Sequence, residues 1–201
     1  MRKLVFVLLF GLAASSFVLA AGPSYRDANG IGVTYLTFNQ NYQTGVGNEN
    51  AVISGLGMQG IFMTGYRFGL VATGTVGIAQ SGSVDGSALD MSIYDTKLMF
   101  DFLFGLGFRQ PIGPSADFLL GVGAHAGGAL ITSSGGTNYL DLAYAGGVGA
   151  VAKLSYYFTE RMGVYLSATA SYDPLPIVDG VSTHLQNGIS YSGGAGIAFR
   201  R

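Results

Sequence analysis

From Tyr94 to Arg109 the chain alternates with period two. Tyr94, Thr96, Leu98, Phe100, Phe102, Phe104, Leu106 and Phe108 fall on one side; Asp95, Lys97, Asp101 and Arg109 fall on the other. Successive side chains of a strand point to opposite faces, so this segment reads as a β-strand with one aromatic and one charged face. That strand alone fits a water-soluble barrel with its charges outward or a lipid-embedded barrel with its phenylalanines outward. The other segments separate the two. Leu142 to Phe158 carries apolar residues at most even positions. Val164, Leu166, Ala168, Ala170 and Tyr172 alternate with Tyr165, Ser167, Thr169 and Ser171, and Ile189, Tyr191, Ile197 and Phe199 alternate with Ser190, Ser192, Gly196 and Ala198. The second face is mostly Gly, Ser and Thr, too small and weakly polar for a solvated exterior, and it fits the inside of a barrel whose outside meets lipid.

Eight such segments are expected, near residues 31–42, 51–66, 69–80, 92–108, 118–131, 142–158, 163–173 and 188–200. Longer Gly/Ser/Asn-rich connections at 43–50, 80–91, 132–141 and 173–187 take turns with tight ones at 67–69 and 159–162. Residues 110–117, with Pro111 and Pro114, read as a longer connection than a tight turn. An even number of antiparallel strands closes a barrel and satisfies every backbone N–H and C=O inside a bilayer. The reading is therefore all-β: an eight-stranded antiparallel transmembrane β-barrel.

Composition points the same way. The 201 residues are 49% hydrophobic and only 10% charged, with 33 glycines, against about 25% charged and about 7% glycine in ordinary soluble domains. Ten Lys and Arg against eleven Asp and Glu give no basic field for nucleic acid. The absence of cysteine excludes a disulfide framework and thiolate chemistry. At the N-terminus, Arg2 and Lys3 precede an uncharged run from Leu4 to Ala20, and Val18 and Ala20 supply the small residues of a cleavage site. This is the pattern of a cleaved signal peptide over residues 1–20, leaving residues 21–201 as the barrel domain. No second apolar stretch reaches the eighteen residues a transmembrane helix needs; the longest, Phe118 to Ile131, holds His125 and four glycines.

With signal, alternating segments and loop rhythm in place, the chain resembles the small eight-stranded outer-membrane barrel superfamily of OmpX, OmpW, the OmpA membrane domain and the opacity-type proteins. The resemblance covers nearly the whole mature chain and rests on architecture, without a sharp motif. It implies residence in the outer membrane of a diderm bacterium, contact with outer-membrane lipid, and delivery by the barrel assembly machinery. Members typically end in an aromatic residue; here Phe199 lies on the outward face and is followed by Arg200 and Arg201.

Sharper local patterns are outweighed by plainer readings. Gly55-Leu-Gly57-Met-Gln-Gly60 and Gly147-Val-Gly149-Ala-Val-Ala152 match dinucleotide fingerprints, but neither opens a helix, and strand glycines serve close packing in a small barrel. Asp85, Asp90 and Asp95 lack calcium-loop spacing. Nucleophilic catalysis needs a Ser or Thr, a His base and an orienting carboxylate. The main candidate set, Ser182, His184 and Asp179, lies in a loop, and His125 sits mid-strand among glycines. No enzyme activity, cofactor or metal is expected.

Two places remain for function. Asp95, Lys97, Asp101, Arg109, His125 and Lys153, with Arg67, are expected to face the lumen, as a closed ion-paired network or as the lining of a narrow polar path. Opposite charges spaced two and four apart on one strand favour the closed form, while inward glycines such as Gly105, Gly121, Gly127 and Gly149 would leave room for the path. The 173–187 loop is unusually apolar, and Leu175, Ile177, Val178, Val181 and Leu185 form a candidate contact surface for a host or envelope partner. The sequence thus points to a structural or surface-interaction protein, adhesin-like, with function in its exposed loops. The alternative is a narrow channel for small solutes.

Overall fold

The computed structural model describes residues 27–43, 47–132, 143–178 and 184–201. Expectations for the signal segment 1–20 and for the centres of three long loops, at 44–46, 133–142 and 179–183, lie outside these residues. The strands are β1 (Ala28–Gln43), β2 (Asn48–Met63), β3 (Phe68–Val84), β4 (Thr96–Ile112), β5 (Ala116–Thr132), β6 (Ala143–Tyr157), β7 (Met162–Val178) and β8 (His184–Arg200). Each pairs antiparallel with its neighbour in sequence, and β1 pairs with β8 from Ala28↔Arg200 to Gln43↔His184. The sheet is a closed eight-stranded barrel.

The strands are 15 to 17 residues long, whereas a tilted strand crosses a bilayer core with about 9–11. The excess stands above the membrane at the long-loop end. On β1 the outward residues pass from Ile31, Val33 and Tyr35 to Asn39, Asn41 and Gln43, marking where lipid gives way to a polar wall. In that wall Asn41 Nδ2 donates to Asn187 Oδ1 at 2.7 Å, and Asn50 Nδ2 donates to Asn41 Oδ1 at 2.8 Å. Within the band the outward side chains are large and bare, with Phe68 75% and Leu106 68% exposed, as a lipid-facing surface requires.

Three boundaries differ from the sequence reading. First, β4 runs from Thr96 to Ile112, not 92–108. The chain before it turns through a two-residue strand, Ser87–Ala88, and a single 3-10 turn, Met91–Ile93. Asp85 and Gly86 both have positive φ, 49° and 77°, the geometry of a tight Asp-Gly hairpin. Asp90 Oδ1 then accepts the Ser92 hydroxyl at 2.6 Å and its N–H at 3.0 Å, which holds the Asp90 carboxyl below its usual range. Second, Pro111 and Ile112 remain in the ladder opposite Asp117 and Ala116, so the expected long connection at 110–117 is a short turn at 113–115. Third, most of the expected 173–187 loop is strand: Leu175 pairs with Gly146 and Pro176 with Ala145. The register slips at Gly147, where an added Cβ would sit 2.8 Å from Pro174 Cδ, so the bulge makes room for a proline inside the ladder.

The interior also departs from the expected small-residue and charged filling. Leu36, Phe38, Tyr42, Ile53, Met99 and Ile131 form an apolar layer towards the long loops, with Val84, Leu89 and Met91 packed on it. A second apolar layer of Ile61, Met63, Val71, Leu103, Leu119 and Val151 lies towards the short turns. Hydroxyl and amide side chains, among them Gln59, Thr75, Ser171 and Ser190, are buried with them. Beside several of the inward glycines the space is taken by larger side chains. A Cβ on Gly121 would fall 2.6 Å from Val71, on Gly127 2.8 Å from Phe38, and on Gly149 2.9 Å from Leu103.

Candidate functional site in the barrel lumen

The inward face of β4 brings Asp101 opposite Gly127 of β5, two residues along from His125. With no side chain on Gly127, the imidazole reaches both ways across the lumen. Its Nε2 lies 2.9 Å from Asp101 Oδ2 and its Nδ1 lies 2.8 Å from Asp173 Oδ1 on β7. Ser171 donates to Asp173 Oδ2 at 2.7 Å, and Ser190 on β8 donates to Asp101 Oδ2 at 3.2 Å. The two serine hydroxyls are 2.7 Å apart. Four strands are thereby tied through one ring, and all five residues are buried. Buried charge in a low-dielectric interior is tolerated only when paired and hydrogen-bonded, and this bridge meets both conditions.

A second charged layer lies towards the short turns. Nε of Arg109 donates to Asp117 Oδ2 at 2.8 Å, and Nη2 contacts the same oxygen. Lys153 donates to the Asn29 carbonyl at 3.1 Å, with its ammonium 5.4 Å from the Tyr165 ring centre. Asp117 Oδ1 and the hydroxyls of Ser155, Tyr157 and Tyr165 are buried in this end of the barrel without a hydrogen-bond partner. Below them Arg200 closes the mouth. It donates to the carbonyls of Glu160 and Pro114, each at 2.9 Å, and its guanidinium stacks 4.1 Å over Tyr157. The terminal Phe-Arg-Arg thus has a division of labour: Phe199 faces out and Arg200 joins two turns across the barrel end.

Of the residues expected in one lumen network, Asp101 and His125 meet in the first layer, and Arg109 and Lys153 occupy the second. Asp95 does not belong: it precedes the strand and is exposed, because the 3-10 turn breaks the alternation and sends Tyr94 inward instead. Lys97 stays at the rim, donating to the Met91 carbonyl at 3.2 Å. Arg67 is exposed in the β2–β3 turn, where the chain has left the strand and parity no longer sets direction. Asp117, within the expected 110–117 connection, and Asp173, at the boundary of the expected 163–173 strand and 173–187 loop, are the partners that complete each layer. The signal for Asp173 was its position two and four residues beyond Ser171 and Thr169, on the inward parity of β7.

Of the apolar contact set, Leu175 is 64% exposed on the protruding part of β7. Ile177, Val178 and Leu185 fall within β7 and β8, and Val181 lies outside the described residues, as do Ser182 and Asp179. The grouping of His125, its carboxylates and the two serines is not a catalytic triad. Both imidazole nitrogens are occupied by carboxylates, and both serines bond to those carboxylates, so no ring nitrogen is free to take a proton from a hydroxyl. Among the described residues no group of His, Asp and Glu is arranged to hold a metal ion.

No family model matches the chain, and no curated protein matches it by sequence. Solved structures do match in shape. The crystal structure of Neisserial surface protein A is 12% identical, covers 86% of this chain and 97% of its own, and has a TM-score of 0.52. The outer membrane protein OprG from Pseudomonas aeruginosa is 11% identical over 88% of this chain and 96% of its own, with a TM-score of 0.55. The attachment invasion locus protein Ail of Yersinia pestis, 12% identical over 86% of this chain and 98% of its own, superposes at 0.43. The chain has the fold of the small eight-stranded outer-membrane barrels.

Proposed function

We propose that this chain is a surface-interaction protein of the outer membrane, anchored by a closed barrel and making its contacts at the long-loop end. The observation that carries the reading is the lumen. Two apolar layers and two charged layers fill it from end to end, and Arg200 lies across the short-turn mouth. A barrel that invests its interior in packing leaves its loops and protruding wall as the surfaces able to meet a partner. The exposed Leu175 and the carboxamides of Asn41, Asn50 and Asn187 lie on that wall, within reach of a host or envelope ligand.

Two glycine turns provide the test. Gly86, in the β3–β4 connection, and Gly113, in the β4–β5 turn, have positive φ and open space where a side chain would be, so both accept a short epitope insertion. On intact cells, antibody is expected to label the epitope at Gly86, and to label the one at Gly113 only after permeabilisation. Equal labelling of both, or labelling of Gly113 alone, overturns the reading.

A further inference from the structure

The charges on the barrel surface are sorted by end. At the short-turn end stand Arg67, Arg161, Arg200 and Arg201, against Asp27 and Glu160. At the long-loop end the described surface charges are Glu49, Asp85, Asp90 and Asp95, against Lys97. Among the described residues the two rims have opposite signs, and every exposed cation of the short-turn rim is an arginine.

The short-turn rim also carries the aromatic girdle. Tyr66, Phe68, Tyr156, Phe158 and Phe199 are all outward and exposed there. Such a girdle marks the level of the membrane–water interface. Arg67 sits between two of these aromatics in sequence, and Arg161 lies three residues beyond Phe158. Their guanidinium groups therefore stand at headgroup depth. Arg200 is committed to turn carbonyls, but Arg67 and Arg161 make no side-chain hydrogen bond or ion pair with another described residue. A guanidinium is the side chain best matched to a phosphate, offering two parallel N–H donors.

We propose that the short-turn rim binds anionic phospholipid headgroups, Arg67 and Arg161 each engaging a lipid phosphate. The β2–β3 and β6–β7 turns lie four strands apart in a ring of eight, so the two arginines serve lipids on opposite sides of the barrel. The acidic, carboxamide-lined rim at the other end has no equivalent. Preference for anionic phospholipid is therefore a property of one leaflet.

The experiment uses the mature chain folded in phosphatidylcholine vesicles, with trace spin-labelled phosphatidylglycerol or phosphatidylcholine, and reads the fraction of each label immobilised by the barrel. Phosphatidylglycerol is expected to associate more strongly, by up to about fivefold per arginine, the factor that about 1 kcal/mol for a cation at an anionic surface represents. The preference should fall in Arg67→Gln or Arg161→Gln alone and fall further in the double variant, to no more than Arg201 sustains. Excess inorganic phosphate should leave it in place. Faster migration of unboiled samples on a gel confirms that each variant is a closed barrel. Equal association of the two labels, a preference undiminished by the double substitution, or its abolition by inorganic phosphate overturns the proposal.

Discussion

The two charged layers of the lumen solve the same problem to different degrees. Around His125 each ring nitrogen has a carboxylate, and each carboxylate also accepts a serine hydroxyl. Around Arg109 one carboxylate oxygen takes two donors while the other has none. Three neighbouring hydroxyls are unpartnered, and Lys153 rests on a single carbonyl and an aromatic face. The difference follows from which strands contribute. The first layer draws side chains from β4, β5, β7 and β8 to one point, so partners arrive from several directions. The second draws Arg109 and Asp117 from two strands joined by a three-residue turn, which makes a strong local pair. Uncompensated polar groups beside a strong pair mean that much of the second layer is replaceable, whereas the first is not.

Substitutions sharpen that contrast. His125→Ala should do the most damage, since it leaves Asp101 and Asp173 buried without their shared partner. A loss of about 3–5 kcal/mol is expected, read as a lower urea midpoint for reversible unfolding from vesicles. Arg109→Ala should cost less than His125→Ala, about 2–3 kcal/mol by the same assay, because Lys153 remains in the layer to offset the Asp117 charge. A larger loss for Arg109→Ala than for His125→Ala would reverse the ranking of the layers. Tyr165→Phe removes a buried hydroxyl that has no partner, so it should be neutral or stabilising by up to about 1 kcal/mol. A clear destabilisation there would show that the hydroxyl is satisfied in the membrane.

The smallest effect belongs outside the membrane. The Ser92 hydroxyl and N–H hold the Asp90 carboxyl below its ordinary value, so their contribution is in place above the ordinary carboxylate range and is lost as pH falls through the lowered folded value. Ser92→Ala should move the Asp90 titration, followed by carboxyl NMR, back towards that ordinary range while leaving barrel stability unchanged.

The exterior of this barrel was legible in the sequence because lipid imposes a one-sided demand: Leu98, Phe100, Phe102, Phe104, Leu106 and Phe108 must all be apolar, and period two exposes them. Strand ends were less legible. The 91–96 segment alternates like a strand but breaks phase at the 3-10 turn, which displaced β4 by four residues and misplaced Asp95. The interior was legible only in part. In β5, Phe118 to Ile131 is apolar on both faces, so alternation does not reveal that Leu119 and Ile131 fill the lumen while Leu120 and Val122 meet lipid. Glycines on the inward face read as empty space, yet three of them accommodate a large side chain from another strand: Val71 at Gly121, Phe38 at Gly127 and Leu103 at Gly149. That complementarity spans the barrel, and no local window contains both halves of it. His125 and Asp101 were identified by parity alone; Asp173 shares the inward parity of Thr169 and Ser171 but stands at the boundary of the expected strand and loop.

Closure of the lumen is the claim from which the proposed role follows, and single-channel recording tests it most directly. The refolded mature chain, its insertion confirmed by the migration of unboiled protein, should give no discrete conductance in a planar bilayer. Discrete conductance from the wild-type barrel that changes in Asp101→Ala or Arg109→Ala would contradict the account and make the lumen a path for small solutes.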